Sequence, residues 1–112
     1  MEEAYAIELE DAVIGCVIQN PSAYDKVCGY FSNDKIFAQT KAKMLWKKID
    51  KMKKSNEHID LLSVCNKVTK NDSTNGLTKY YITTCSTNAC IEGTSEMHAG
   101  KIYEQYLMRR VI

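Results

Sequence analysis

Between residues 8 and 37 the apolar positions spell two helices and the break between them. Leu9, Ala12, Val13, Cys16 and Val17 fall at i, i+3, i+4, i+7 and i+8, the spacing of one helix face, and Ile14 and Ile18 add a second apolar stripe. Only a narrow edge of Asp11, Gly15 and Gln19 is left for water or for a close neighbour, so this helix is expected at the centre of the fold. Asn20-Pro21 ends it. Pro21 has no amide hydrogen and disfavours α geometry at Asn20, yet it suits the first turn of a new helix with Asn20 as the N-cap. Ala23, Tyr24, Val27, Cys28 and Phe31 carry that second helix to about Tyr30, with Gly29 weakening its last turn. Ser32-Asn33-Asp34 is a cluster of turn and cap formers that leads into an Ile36-Phe37 anchor on a single helical turn.

From Gln39 to Lys54 the periodicity is clearest. Ala42, Leu45, Ile49 and Met52 share one face with Trp46 at its margin, and Lys43, Lys47, Lys51 and Lys54 lie opposite. Burial of such a stripe stabilises by roughly 1.5 to 3 kcal/mol per large side chain, more than any propensity difference along the same helix. Ser55 to His58 reads as a loop, and Asp60 is placed to cap a helix from Leu61 to about Lys70, with Ile59 stapling onto Val64. Asn71 to Gly76 has no apolar side chain and is expected to be a mobile loop. Tyr80 to Thr84 are all good strand formers, but a lone strand has nothing to pair with in a helical chain, so Thr78 to Cys85 is expected to be a short helix. After a loop over Ser86 to Thr94, Ser95 opens a last helix with Ala99, Ile102, Tyr103, Tyr106 and Leu107 on one side and Met108, Val111 and Ile112 outside that stripe. The expected fold is therefore all-α, a compact orthogonal bundle of about six helices. Its expected divisions are an N-terminal tail over 1–7, a globular part over 8–94 and a helical arm over 95–112.

Composition narrows the functional classes. A chain of 112 residues supports about one domain with one modest core. Fifteen Lys and Arg against 14 Asp and Glu leave a net charge of +1, which gives no global reason to expect nucleic acid or an anionic membrane as partner. No apolar run approaches the roughly 18 to 20 residues that span a bilayer, and Met1-Glu2-Glu3 has the wrong charge for a signal peptide, so a cytoplasmic protein with no membrane partner is expected. The five cysteines, at 16, 28, 65, 85 and 90, are odd in number and include no Cys-x-x-Cys pair. They read as buried or idle thiols rather than metal ligands, and the spacing of His58 and His98 does nothing to favour a site with Cys85 and Cys90.

Catalytic signatures are missing. The chain has no phosphate loop, no Gly-x-Gly-x-x-Gly, no His-Glu-x-x-His and no Gly-x-Ser-x-Gly. Glu8, Glu10 and Asp11 near a helix N-terminus read as partners of the helix dipole rather than as a general acid and base. Lys43, Lys47, Lys51 and Lys54 form a candidate basic surface, with a solvated helix face as the plainer reading. The last helix carries more apolar surface than one small core uses. A partner helix, reached through Ile102, Tyr103, Tyr106, Leu107 and Val111, and simple packing across the bundle both remain open.

Taken in order, these residues resemble the N-terminal domain of the DnaB-like replicative DNA helicases. That family opens with a pattern of the type Glu-x-Ala-Val-Leu-Gly-x-Leu-Leu-x-(Asp/Asn)-Pro, which Glu10 to Pro21 follows closely, and Gly15 gains a reason in close helix packing. Asp34-Lys35-Ile36-Phe37 resembles the family's Asp-Phe anchor, Ala42 to Ile49 its next helix, and Ile59-Asp60-Leu61 its Val-Asp-Leu/Ile entry. Gly76 to Ile82 resembles its Gly-Gly-x-x-Tyr-Leu with Leu77 in place of the second Gly, and Ala99 to Ile112 resembles the first arm of its helical hairpin.

The resemblance implies a non-enzymatic module of a replicative helicase acting at the fork. Its hairpins pair between subunits as dimers and help organise a hexameric ring, and its surface receives primase and sometimes a loader. ATP, Mg and DNA are implied only for a following RecA-like motor, so this chain is expected to bind no cofactor or metal of its own. The chain stops at Ile112 inside a helical pattern with no stop signal, which reads as a truncation within the hairpin. The thiol-rich faces, Leu77 and the polar 71–75 segment suggest a diverged bacterial, plasmid or phage member. Two alternatives stand beside this reading: a lysine-rich helical module that binds single-stranded nucleic acid, and a free-standing helical adaptor.

Overall fold

The computed structural model describes residues 2–111, and the side chains of these except at 2–4, 34 and 111. Seven α-helices and two 3-10 turns make up the fold, with no strand among the described residues. Helix α1 (Glu2–Gln19) runs through the middle, with Val13, Ile14, Cys16 and Val17 fully buried. It begins well before Leu9, so residues expected as a tail are helical, and Ala6 joins the core at 3% exposure. The chain turns at Asn20 and Pro21, whose carbonyls accept from the amides of Ala23 and Tyr24. Helix α2 (Ala23–Val27) follows, with Ser22 rather than Asn20 in the position before it and no side-chain cap, and Gly29 falls in the 3-10 turn Cys28–Phe31 that succeeds it. The second 3-10 turn, Asp34–Ile36, is capped by the Asn33 side chain, which accepts from the Lys35 amide, and it delivers Ile36 and Phe37 to the core.

Helix α3 (Thr40–Lys54) buries Ala42, Leu45, Ile49 and Met52 as its periodicity predicts. Trp46 departs from expectation. It is 3% exposed, stacked on Tyr24 at 5.5 Å and edge-on to Phe31 at 5.0 Å, because the 3-10 turns fold over what is the margin of the isolated helix. The C-terminus of α3 is closed by Asn56 in the left-handed region (φ 57°), with the Glu57 amide donating to the Met52 carbonyl and the Asn56 amide to Lys53.

The largest difference from the expected elements lies between Leu61 and Gly76. The predicted long helix stops after one turn as α4 (Leu61–Cys65), with Asp60 accepting from the Ser63 amide at 2.7 Å and the stapling pair Ile59 and Val64 both buried. The predicted mobile loop is instead a capped turn of helix, α5 (Lys70–Thr74). Thr69 accepts from the Asp72 amide at 3.1 Å while the Asp72 carboxylate accepts from the Thr69 amide at 2.9 Å, a reciprocal capping box. Gly76 (φ 98°) closes the other end, where the Leu77 amide donates to Asp72 and the Gly76 amide to Ser73, and Leu77 plugs into the core with no exposed surface. Lys48 binds the Asp72 carboxylate at 2.7 Å and ties this turn to α3. A segment without apolar side chains is thus ordered by its caps and by the leucine that follows it.

Thr78 caps α6 (Lys79–Thr87), the element whose β-formers compete with helix, by accepting from the Tyr81 amide. Helix α7 (Glu92–Val111) starts three residues before the expected Ser95, leaving only 88–91 as connection. The polar edge of α1 turns out to be the seam with α6. Asp11 accepts from the Tyr81 hydroxyl at 2.6 Å, and Gln19 donates to the Ser86 carbonyl. Between them Gly15 lies so close that a Cβ built on it would sit 1.8 Å from the Cys85 carbonyl oxygen.

Candidate functional site: the outer face of the last helix

Helix α7 is laid across α1 and α2 by small residues at its start and by polar ties at its end. Ser95 and Ala99 have no exposed surface and Ile102 only 1%, one residue per turn along the inward face. The Glu92 carboxylate accepts from the Ser22 hydroxyl at 2.9 Å and pairs with Lys26 at 3.3 Å, and these partners hold it below the ordinary carboxylate range. Further along, Asn33 donates to the Tyr106 hydroxyl at 3.0 Å and Arg109 to the Ile36 carbonyl at 2.9 Å. From Tyr106 onward α7 is therefore tied to the 3-10 turns.

The exposed surface of these last turns sets apolar side chains among the charged Lys101, Glu104, Arg109 and Arg110. Tyr103 is 41% exposed, Leu107 39% and Met108 53%, and the Tyr103 and Tyr106 rings lie 6.3 Å apart. Beside them a groove of about 300 Å³ is lined by Tyr30, Asn33, Ile36, Tyr103, Tyr106 and Arg110. Arg110 stands 5.7 Å over the Tyr106 ring, so the rim of the patch is cationic. An apolar centre with a charged and hydrogen-bonding rim can bury against another protein surface and offers no nucleophile or acid–base pair.

Of the residues picked out for self-association, Tyr103 and Leu107 lie on this face and Tyr106 is half-buried at its edge. Ile102 does not: it points into the core, and its place in that set is corrected by the way α7 crosses α1 and α2. The side chain of Val111 lies outside the described ones. Of the candidate basic surface on α3, Lys43 is half-buried and Lys47, Lys51 and Lys54 are exposed. Lys54 pairs with Asp50 at 2.8 Å, and Trp46, the residue that could have stacked on a base, is enclosed with Phe31, Phe37 and Tyr24. His58 is exposed and pairs with Asp60, and the described residues contain no group of three or more His, Cys, Asp or Glu able to hold a metal ion. Among the described residues no helix is long and apolar enough to cross a membrane.

One residue was undervalued from sequence. Glu10 is fully buried and serves as the acceptor for the entry to α3, taking the Ala38 amide at 2.7 Å and the Gln39 amide and Nε2 at 3.3 Å each. Gln39 Nε2 also reaches Asp11 at 3.1 Å, which links this site to the α1–α6 seam. Burial pushes the Glu10 carboxyl above its ordinary range, against the pull of those amides and of Arg109. The clue was present in the spacing, since Glu10 stands at i to Val13, Ile14 and Val17 on the apolar stripe.

The arrangement is that of a scaffold with an open apolar patch and, within a hydrophobic core, a few buried polar groups such as Glu10 that orient its helices. No curated protein sequence matches the chain. A protein family does, over residues 2–104, a span that takes in α1 to α6 and most of α7. The chain belongs to the family of DnaB-like helicase N-terminal domains, and so to the N-terminal modules of replicative helicases.

Proposed function

We propose that the chain is a non-catalytic assembly module in which the outer face of α7 pairs with the same face of a second copy. Tyr103 and Leu107 form the centre of that contact, with Tyr106 and Arg110 at its rim. The observation that supports this most is the exposure of Tyr103 and Leu107, one turn apart, on a helix whose inward face is already satisfied by Ser95, Ala99 and Ile102. In this reading such pairs help organise a hexameric ring, primase and a loader dock on the globular part, and ATP, Mg and DNA are handled by a RecA-like motor downstream of Ile112. A phosphate-loop motif in the coding sequence beyond Ile112 tests the last point directly.

Self-association is tested by sedimentation equilibrium of the chain over a wide concentration range, alongside the double variant Tyr103→Glu, Leu107→Glu. Both positions are solvent-exposed, so the variant keeps the fold, and two buried charges at a small interface weaken pairing by at least about tenfold. A wild-type chain that stays monomeric at the highest concentration, or a variant that associates equally well, refutes the proposal.

A further inference from the structure

We propose that Cys16 and Cys90 form a built-in thiol pair, a modification site at which a small-molecule disulfide oxidises the two residues to an intramolecular disulfide that locks α1 to the α6–α7 connection. Two backbone observations bring the residues together. The Cys90 amide donates to the Ala12 carbonyl at 3.1 Å, which docks residue 90 one helical turn before Cys16 on α1. One residue earlier along each segment, the Cβ of Ala89 lies 3.2 Å from the Cβ position of Gly15. The two sulfurs are unbonded, and the Cys90 side chain packs against the buried cluster that contains Cys16.

The two thiols differ in the way a sequential exchange needs. Cys90 is half-buried and open to a reagent, whereas Cys16 has no exposed surface and is reachable only by its neighbour. The Cys90 thiolate attacks one sulfur of the small disulfide, releasing one equivalent of small thiol and leaving a mixed disulfide on Cys90. The Cys16 thiolate then attacks the Cys90 sulfur, expelling the second equivalent, so that two protein thiols are oxidised by two electrons and the small disulfide is reduced to two thiols. Burial raises the Cys16 thiol above the ordinary range, so the closing step is slow at neutral pH and quickens as pH rises. The other thiols are placed differently. Cys85 is enclosed by Tyr81 and Asp11 across the α1–α6 seam, Cys65 lies on α4, and Cys28 contacts the Asp25 carbonyl on α2.

The experiment is treatment of the folded chain with glutathione disulfide at pH 7 and pH 8.5, alkylation of remaining thiols, and peptide mapping without reduction. The expected product is one intramolecular crosslink between Cys16 and Cys90, formed faster at the higher pH, abolished in Cys90→Ser and retained in Cys28→Ser. In Cys16→Ser the reaction is expected to stop at glutathione on Cys90. Should that buried substitution unfold the chain, the Cys90→Ser and Cys28→Ser pair carries the test, because both positions are partly exposed. A crosslink to Cys28, Cys65 or Cys85, or a wild-type mixed disulfide on Cys90 that never closes, overturns the proposal.

Discussion

Replacing Gly15 with Ala isolates the α1–α6 seam in a single methyl group. The added Cβ would meet the Cys85 carbonyl oxygen at 1.8 Å, about 1.2 Å inside the shortest approach real Cβ atoms show. The obstacle is backbone within α6 and cannot rotate aside, so the two helices must part. Overpacking of this kind costs about 1 to 3 kcal/mol, and the two hydrogen bonds that bracket the contact, Asp11 with Tyr81 and Gln19 with Ser86, weaken at about 0.5 to 1.5 kcal/mol each. Against this stands a gain of about 1 kcal/mol in helix propensity from Gly to Ala. A net loss of about 1 to 5 kcal/mol lowers the unfolding midpoint of a domain this size by about 4 to 20 °C. Thermal unfolding followed by far-ultraviolet circular dichroism reads this directly. Gly93→Ala is the matched control, because a Cβ there meets nothing within 4 Å and the propensity gain alone should raise the midpoint by a few degrees. A Gly15→Ala protein that melts within about 2 °C of wild type, on a scale of roughly 4 °C per kcal/mol, would show that the helices do not touch as described.

Two further substitutions probe the polar contacts that fix helix starts, one buried at Glu10 and one exposed at Thr69. Glu10→Gln places an amide donor against the Gln39 amide and should cost about 1 to 2 kcal/mol by denaturant titration. Because burial raises the Glu10 pKa in the folded state, its contribution is fully present below the unfolded value of 4.5 and is lost as pH rises through the folded value. The stability difference between wild type and Glu10→Gln should therefore shrink from pH 4 to pH 7, and a difference that grows over that window contradicts the assignment. The lowered carboxyls of Asp50, Asp60, Asp72 and Glu92 have the opposite sign, with stability lost as pH falls through their folded values, but they are common to both proteins and cancel. Thr69→Ala removes one half of the α5 capping box at a cost of about 1 kcal/mol, which should speed hydrogen exchange across residues 70–75 by about fivefold, and unchanged exchange there would return the segment to a loop.

What could be read from sequence is what local physics decides. The 3.6-residue stripe of α3, the Asp60 cap and the Pro21 corner each depend on residues within about a turn of one another, where spacing alone says which groups can meet. The same locality explains α5 in retrospect, since the Thr69 and Asp72 box stood in plain view beside a run of loop formers. Other features depend on which distant segment arrives. Trp46 is interior because the 3-10 turns cover it, and Glu10 is buried because the entry to α3 comes to its carboxylate with unsatisfied amides. Ile102 is core rather than interface because α7 packs that face onto the body of the fold, and Cys90 comes to the cluster that holds Cys16 because the α6–α7 connection docks on the α1 backbone. Helix periodicity sets which side chains share a face, but the direction that face looks is settled by packing between elements far apart in the chain, and only the tertiary structure holds that information.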